Sequence, residues 1–309
     1  MKKIYITIIL LLIAHISFAQ NEVKSIAYDS IRNYLGKDVQ QYKGQELYLK
    51  GLDKTSQRYG YSGFILNYKK DDDILNDIKN IYKANENYSS DYKALVGKYF
   101  IVQDIIPHPK AKLDEKEYGN VYYLKLKEKA SGDELYYKYN AANKEIFPFI
   151  ATGFFIKERE RQIGKEYVIT DDVLKMSRNL NTGEALKFTT GQTWECIDLT
   201  MDNTNNELSL VLESRGNLKT AIPYAALDSP DGMKKVFTAQ EATDLTRKYN
   251  MYNFRRILQN KMRVGMTKEM TRLSWGKPTE VKETGQNTEQ WIYPMGRLTF
   301  KGEAIISMK

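Results

Sequence analysis

The sequence predicts a β-rich α+β fold. Repeated small antiparallel β units lead into a C-terminal module of two helices and an antiparallel sheet. Three observations carry this expectation. Short runs of alternating apolar and polar residues are separated by Gly, Asn and Asp, as in half-buried strands joined by turns. A nine-residue segment beginning at Gly97 recurs in register at Gly191. From Thr238 the pattern turns helical, then returns to short strands punctuated by glycine.

The chain opens with Met1, Lys2 and Lys3, followed by an apolar run from Ile4 to Ala14 and by Ser17-Phe18-Ala19. This is the three-part pattern of a secretory signal peptide, with cleavage expected between Ala19 and Gln20. A spanning helix needs about 20 apolar residues, and His15 and Ser17 interrupt this run before Asn21, Glu22 and Lys24 follow. With Gln20 rather than Cys after the cleavage point, the expectation is a periplasmic or secreted protein with neither a lipid nor a transmembrane anchor. Four regions follow: the signal peptide at 1–19, a β-rich region with helices at 20–157, a second β unit at 158–237 and the C-terminal module at 238–309.

The net charge is +8, and the leader's Lys2 and Lys3 lower it by two on cleavage. The remaining Lys and Arg are interspersed with Asp and Glu, so no basic block points to nucleic acid. Cys196 is the single cysteine, so no internal disulfide can form. Of two histidines only His108 survives cleavage, and a zinc site of the usual ligand sets is not available. No phosphate-binding loop or dinucleotide fingerprint occurs, and no cofactor is expected.

Gly97-Lys98-Tyr99-Phe100-Ile101-Val102-Gln103-Asp104-Ile105 aligns with Gly191-Gln192-Thr193-Trp194-Glu195-Cys196-Ile197-Asp198-Leu199. Each segment leads into a hairpin: Tyr122 to Leu126 with Leu135 to Tyr139, and Trp194 onward with Leu208 to Leu212. Weaker echoes start at Gly44 and Gly164. The repeats read as small β units of an SH3-like kind. Residues from His108 to Gly119 form a polar insertion that reads as a surface loop. Helices are expected from Val23 to Tyr34, and after Asp71-Asp72-Asp73, where acidic residues suit a helix N-terminus.

In the C-terminal module, Ala239 to Asn260 offers an apolar face of Leu245, Tyr249, Tyr252, Ile257 and Leu258. Thr267 is a natural N-cap for a helix from Lys268 to Trp275, closed by Gly276 and Pro278. Four strands follow: Thr279 to Glu283, Glu289 to Tyr293, Arg297 to Lys301 and Ala304 to Met308. The run Gly265-Met266-Thr267, Leu273-x-x-Gly276-Lys277-Pro278, Trp291-x-Tyr293 and Leu298-x-Phe300-x-Gly302 resembles the SmpA/OmlA (BamE-like) family. Those are small bacterial envelope proteins with two helices on an antiparallel sheet. The resemblance implies an envelope location and a tendency to bind proteins.

Each candidate residue has a plain alternative. Trp275, Trp291 and Tyr293 are candidate interaction anchors, with core packing the default. Cys196 aligns with Val102 and reads as a buried, inert thiol. His108 reads as a solvated loop histidine, with a lone acid/base role as its alternative. Asp202 to Glu207 reads as a turn rather than a calcium loop, since it lacks the Gly and the final Glu of that motif. The function expected is a non-enzymatic, protein-binding or assembly module of the cell envelope. A glycan- or peptidoglycan-binding protein is the alternative, motivated by 23 tyrosines. A secreted carboxylate hydrolase is a weaker one.

Overall fold

The computed structural model describes residues 28–73, 77–202, 207–228 and 232–309. The expected leader with its cleavage residues Ala19 and Gln20, Ile74, and residues 203–206, where a turn is expected, lie outside the described residues. The described chain is mixed α/β and β-rich, with three antiparallel sheets.

The first sheet is built from β1 (Glu46–Leu49), β2 (Phe64–Ile65), β3 (Tyr99–Pro107), β4 (Val121–Glu128), β5 (Glu134–Asn140) and β6 (Phe149–Ala151). Its order is β2-β5-β4-β3-β1-β6. Two short helices, α1 (Tyr92–Leu95) and α2 (Glu115–Tyr118), lie between its strands. Helix α3 (Thr152–Gln162) follows β6 and leads to the second sheet. That sheet comprises β7 (Glu166–Ile169), β8 (Thr193–Asp202), β9 (Glu207–Ser214), β10 (Leu218–Pro223) and β11 (Val236–Thr238), in the order β10-β9-β8-β7-β11. Helix α4 (Asp171–Met176) sits between β7 and β8.

Strand for strand, β5-β4-β3-β1-β6 corresponds to β10-β9-β8-β7-β11, and the registers agree. Tyr48 faces Tyr99 and Ile150, while Val168 faces Thr193 and Phe237. The pairing of β3 with β4 shifts between Val102 and Asp104, and that of β8 with β9 shifts between Cys196 and Asp198. A bulge therefore falls at the aligned residues Gln103 and Ile197. A bulge bends its strand and re-aims the side chain that follows. Here that side chain is an aspartate in both sheets, and each meets a cation: Lys43 with Asp104 at 3.0 Å, Arg159 with Asp198 at 2.6 Å.

Alternation fixes what each face does, because successive side chains point to opposite sides. The inner face of the first sheet carries Leu47, Leu49, Phe100, Val102 and Phe149; that of the second carries Tyr167, Ile169, Trp194, Cys196 and Val236. Both sets belong to one continuous core. The expected division after residue 157 falls within α3, whose Phe154, Glu158 and Gln162 are buried.

The C-terminal part consists of α5 (Ala239–Leu258), α6 (Lys268–Trp275), and the strands β12 (Glu280–Gly285), β13 (Thr288–Tyr293), β14 (Gly296–Lys301) and β15 (Ala304–Met308), paired in chain order. Thr238 and Glu241 form a reciprocal capping box at the start of α5. Thr267 caps α6, and Gly276 ends it with φ 75°. Helix α5 is broken at Asn250, where φ is 65°. With ψ at 160° this is a region that essentially only glycine adopts without strain, and Asn250 Oδ1 accepts from the Asn253 amide, capping a second segment at 251–258.

Two expected helices are corrected. Residues 28–35 form bends rather than the end of a helix from Val23, and Ser30 and Gly36 take positive φ of 59° and 56°. Asn33 instead serves the edge of β6: its amide donates to Phe149 O and accepts from the Ala151 N–H, each at 2.8 Å. The aspartates at 71–73 end a 3₁₀ turn, Tyr68–Asp73, and of the helix expected after them the described stretch Ile78–Asn80 is a single 3₁₀ turn. Asp71 is buried, accepts from the Tyr123 hydroxyl and pairs with Lys138 at 2.6 Å. That partnered burial outweighs the helix-dipole argument that placed it at an N-terminus.

Candidate binding groove

The outer faces of the two matched sheets have different environments. On the second sheet, Val168 and Phe237 are buried in a separate core with Ala242, Tyr249, Phe254, Ile257 and Leu258 of α5. The Phe237 and Phe254 rings meet edge to face at 5.5 Å. On the first sheet, the corresponding Tyr48 and Ile150 face an open groove of about 510 Å³.

Strand residues Tyr48, Tyr99 and Ile150 form the floor, α3 supplies Thr152, Phe155 and Ile156 as one wall, and Met201 of β8 flanks it. The Tyr48 and Tyr99 rings lie 5.1 Å apart at 56°. Tyr99 and Ile156 are 43% and 50% exposed, large for apolar rings and branches held on rigid elements. Polar contact is confined to one rim. There Glu46 accepts from Lys129 Nζ at 2.5 Å and from Thr152 Oγ1 at 3.1 Å. The Glu46 side chain is largely covered, whereas that of Lys129 is exposed and its ammonium also lies 5.9 Å from the Tyr99 ring.

This arrangement suits recognition by apolar contact with one charged rim. The lining holds no His or Cys, and its one carboxylate is held in an ion pair. Among the described residues no group of three or more His, Cys, Asp and Glu could hold a metal ion. Nor is any helix among them long and apolar enough to cross a membrane. A second depression of about 500 Å³ is lined by Arg272, Lys277, Pro278 and Glu280 beside Trp291. The Arg272 guanidinium caps the Trp291 ring at 4.6 Å.

Of the residues singled out from sequence, none lies in the first groove. Trp291 and Tyr293 are buried: Trp291 packs on Phe300 at 4.7 Å, and the Tyr293 hydroxyl donates to Gly276 O at 3.0 Å. Trp275 is half-buried, crosses Tyr293 edge to face at 5.3 Å and donates from Nε1 to Asn260 O at 2.9 Å. These contacts are those of core packing. Cys196 is fully buried, and burial pushes its thiol up to about 11, well above the range of a reactive thiolate.

His108 corrects the expectation of a solvated loop residue. It is 4% exposed and stacks against the Tyr118 ring at 4.2 Å and the Tyr123 ring at 5.6 Å. Its Nδ1 accepts from the Lys110 amide at 3.2 Å. The insertion folds back through α2, so its Tyr118 covers the imidazole.

Sequence reasoning did not single out Tyr48, Tyr99, Phe155 and Ile156 as a site. Their signal lies in the aligned halves: Tyr48 and Tyr99 stand where the second unit has Val168 and Thr193. No protein family, curated protein or solved structure matches the chain.

Proposed function

We propose that this chain is a non-enzymatic protein of the cell envelope, exported by its leader, that binds other proteins through the groove on its first sheet. The observation that carries this reading is an open aromatic and aliphatic groove on rigid strands, rimmed by Glu46 and Lys129. Ligand sites combine mostly apolar linings with a few placed polar groups in this way. Exposed apolar surface of this kind commonly marks an interaction site.

Two finer readings accompany it. The matched five-strand units read as SH3-like barrels, supported by five short antiparallel strands with the last beside the first. The C-terminal part reads as BamE-like, supported by two helices and a four-strand meander. Binding of a glycan is the second reading, favoured by the exposed Tyr99 ring, which offers an apolar face to a sugar. The hydrolase reading draws no support from this groove, because a glycosidase pair needs two carboxylates and the lining supplies one.

The test is photo-cross-linking in envelopes of the producing cell, with a benzophenone residue replacing Ile156. Discrete protein adducts that Tyr99→Ala removes are expected. Retention on saccharide or cell-wall sacculi, sensitive to Tyr99→Ala and without any protein adduct, would overturn the reading in favour of the glycan.

A further inference from the structure

The second sheet supplies an internal precedent for what covers this face. Its outer residues Val168 and Phe237 are roofed by the 251–258 segment of α5, with Phe254 crossing Phe237 at 5.5 Å. At the matched glycines the difference is direct. A β-carbon placed on Gly191 would lie 3.7 Å from Leu258 Cδ1, whereas one on Gly97 would lie 3.8 Å from the Tyr48 hydroxyl. The same corner of the unit is thus closed by a helix in one case and only partly filled by Tyr48 in the other.

Helix α3 corresponds to the first half of α5. It ends at Gln162, the position matched by Tyr249, and the chain then turns into β7. The first unit has no counterpart of the 251–258 segment, because that stretch of chain is the beginning of the second unit.

We propose that the groove on the first sheet is the docking site for an amphipathic helix of a partner protein. This deepens, and rests on, the protein-binding reading above. The helix presents aliphatic or aromatic residues at i, i+3, i+4 and i+7 to Tyr48, Tyr99, Ile150 and Ile156, as α5 presents Phe254, Ile257 and Leu258 to the second sheet. Charge sets its flank. Glu46 is mostly covered while Lys129 is exposed, so the rim presents a positive charge and favours an acidic residue on the helix. Helix-in-groove recognition differs from strand addition in what it reads: side chains at helical spacing rather than backbone hydrogen bonds.

The experiment selects random peptides by display on the purified mature chain, keeping those that Tyr99→Ala and Ile156→Asp both reject. Selected peptides are then made linear, hydrocarbon-stapled as helices of about three turns, and with a central proline. Apolar residues at helical spacing are expected, with stapling tightening Kd and proline weakening it, each roughly tenfold or more. Lys129→Glu is expected to weaken acidic-flanked peptides by a similar factor and to favour basic-flanked ones. Peptides that bind better linear or proline-bearing would overturn the helix while leaving protein binding intact.

Absence of any Tyr99-dependent peptide, alongside Tyr99-dependent binding of cell-wall sacculi, would overturn both. Sedimentation provides the remaining outcome. A dimer that Ile156→Asp dissociates would assign the groove to a second copy and overturn the partner helix. Circular dichroism of the variants guards against a folding defect. Tyr99→Phe, which keeps the ring, is expected to retain binding.

Discussion

The first and second sheets share strand order, register and the site of a bulge, yet their outer faces meet opposite fates. On the second, small Val168 and fully buried Phe237 accept a helical roof and become the seam to the C-terminal part. On the first, Tyr48 and Ile150 hold the corresponding positions; Ile150 is buried, whereas Tyr48 and its neighbour Tyr99, which stands where the second sheet has Thr193, remain partly in water. A common sheet therefore does not determine whether its outer face is covered by a helix or left open. Side-chain size and the chain that follows decide it. Tyrosine suits the open face because its ring is apolar while its hydroxyl tolerates solvent.

Phe237→Ala should give the largest effect that separates the two faces. It removes a fully buried ring between Val168 and Phe254, and such truncations cost about 3–5 kcal/mol. Chemical denaturation followed by tryptophan fluorescence measures it. All three tryptophans, Trp194, Trp275 and Trp291, lie in the second sheet and the C-terminal part. A loss below about 1 kcal/mol would mean that the roof contributes little and that the two faces are energetically alike.

The next prediction concerns charge. Lys98 and Glu128 of the first unit pair at 2.9 Å, and at the matched positions of the second unit Gln192 donates to Ser214 at 3.0 Å. Burial raises the Glu128 pKa. Donors at Ser131, Lys98 and the Ala130 amide outweigh this and hold it down at about 2. A depressed folded pKa contributes stability above the unfolded value near 4.3 and loses it as pH falls toward 2. The first unit should therefore lose about 2–3 kcal/mol between pH 6 and 2 through this group. The double substitution Lys98→Gln with Glu128→Ser, which installs the second unit's neutral pair, should flatten that slope. Tyrosine fluorescence against pH reports mainly on the first unit, which carries most of the tyrosines. An unchanged slope would assign the acid sensitivity elsewhere.

The likeness of the two sheets was legible in sequence, for a definite reason, whereas the contrast between their outer faces was not. The repeat at Gly97 and Gly191 marks strands with the same neighbours, and alternation placed Cys196 and Val102 inside. Caps and turns are local chemistry, so Thr267, Gly276 and the strands to Met308 could be read directly. What failed was burial decided at a distance. His108 looked solvated because its neighbours are polar, but Tyr118 folds back over it from the far end of the insertion. Asp71 looked like a helix cap because its partners, Tyr123 and Lys138, are remote in sequence. The groove escaped for the same reason: its floor comes from three strands and its wall from α3, which no local pattern unites.

A smaller effect tests how the roof is made. Helix α5 reaches the second sheet's outer face only by breaking at Asn250. Asn250→Ala removes the cap to Asn253 and places a β-substituted, non-capping residue at φ 65°, costing about 1–2 kcal/mol. Asn250→Gly relieves the backbone and should cost less than the alanine. If the two variants were equally unstable, the cap rather than the backbone conformation would control the break.

The smallest stability change belongs to the open face. Tyr99 is 43% exposed and contacts mainly Tyr48 and the rim lysine, so Tyr99→Ala should cost under about 1 kcal/mol. Its partner binding should nevertheless fall about tenfold or more, since interface energy concentrates in a few aromatic anchors. The ratio of these two effects is the informative quantity. Phe237→Ala is expected to unfold the seam, whereas Tyr99→Ala leaves the fold in place and empties the groove of its ligand. A Tyr99→Ala protein that loses stability as Phe237→Ala does would place the ring in the structural core after all, and the two faces would then differ in shape but not in purpose.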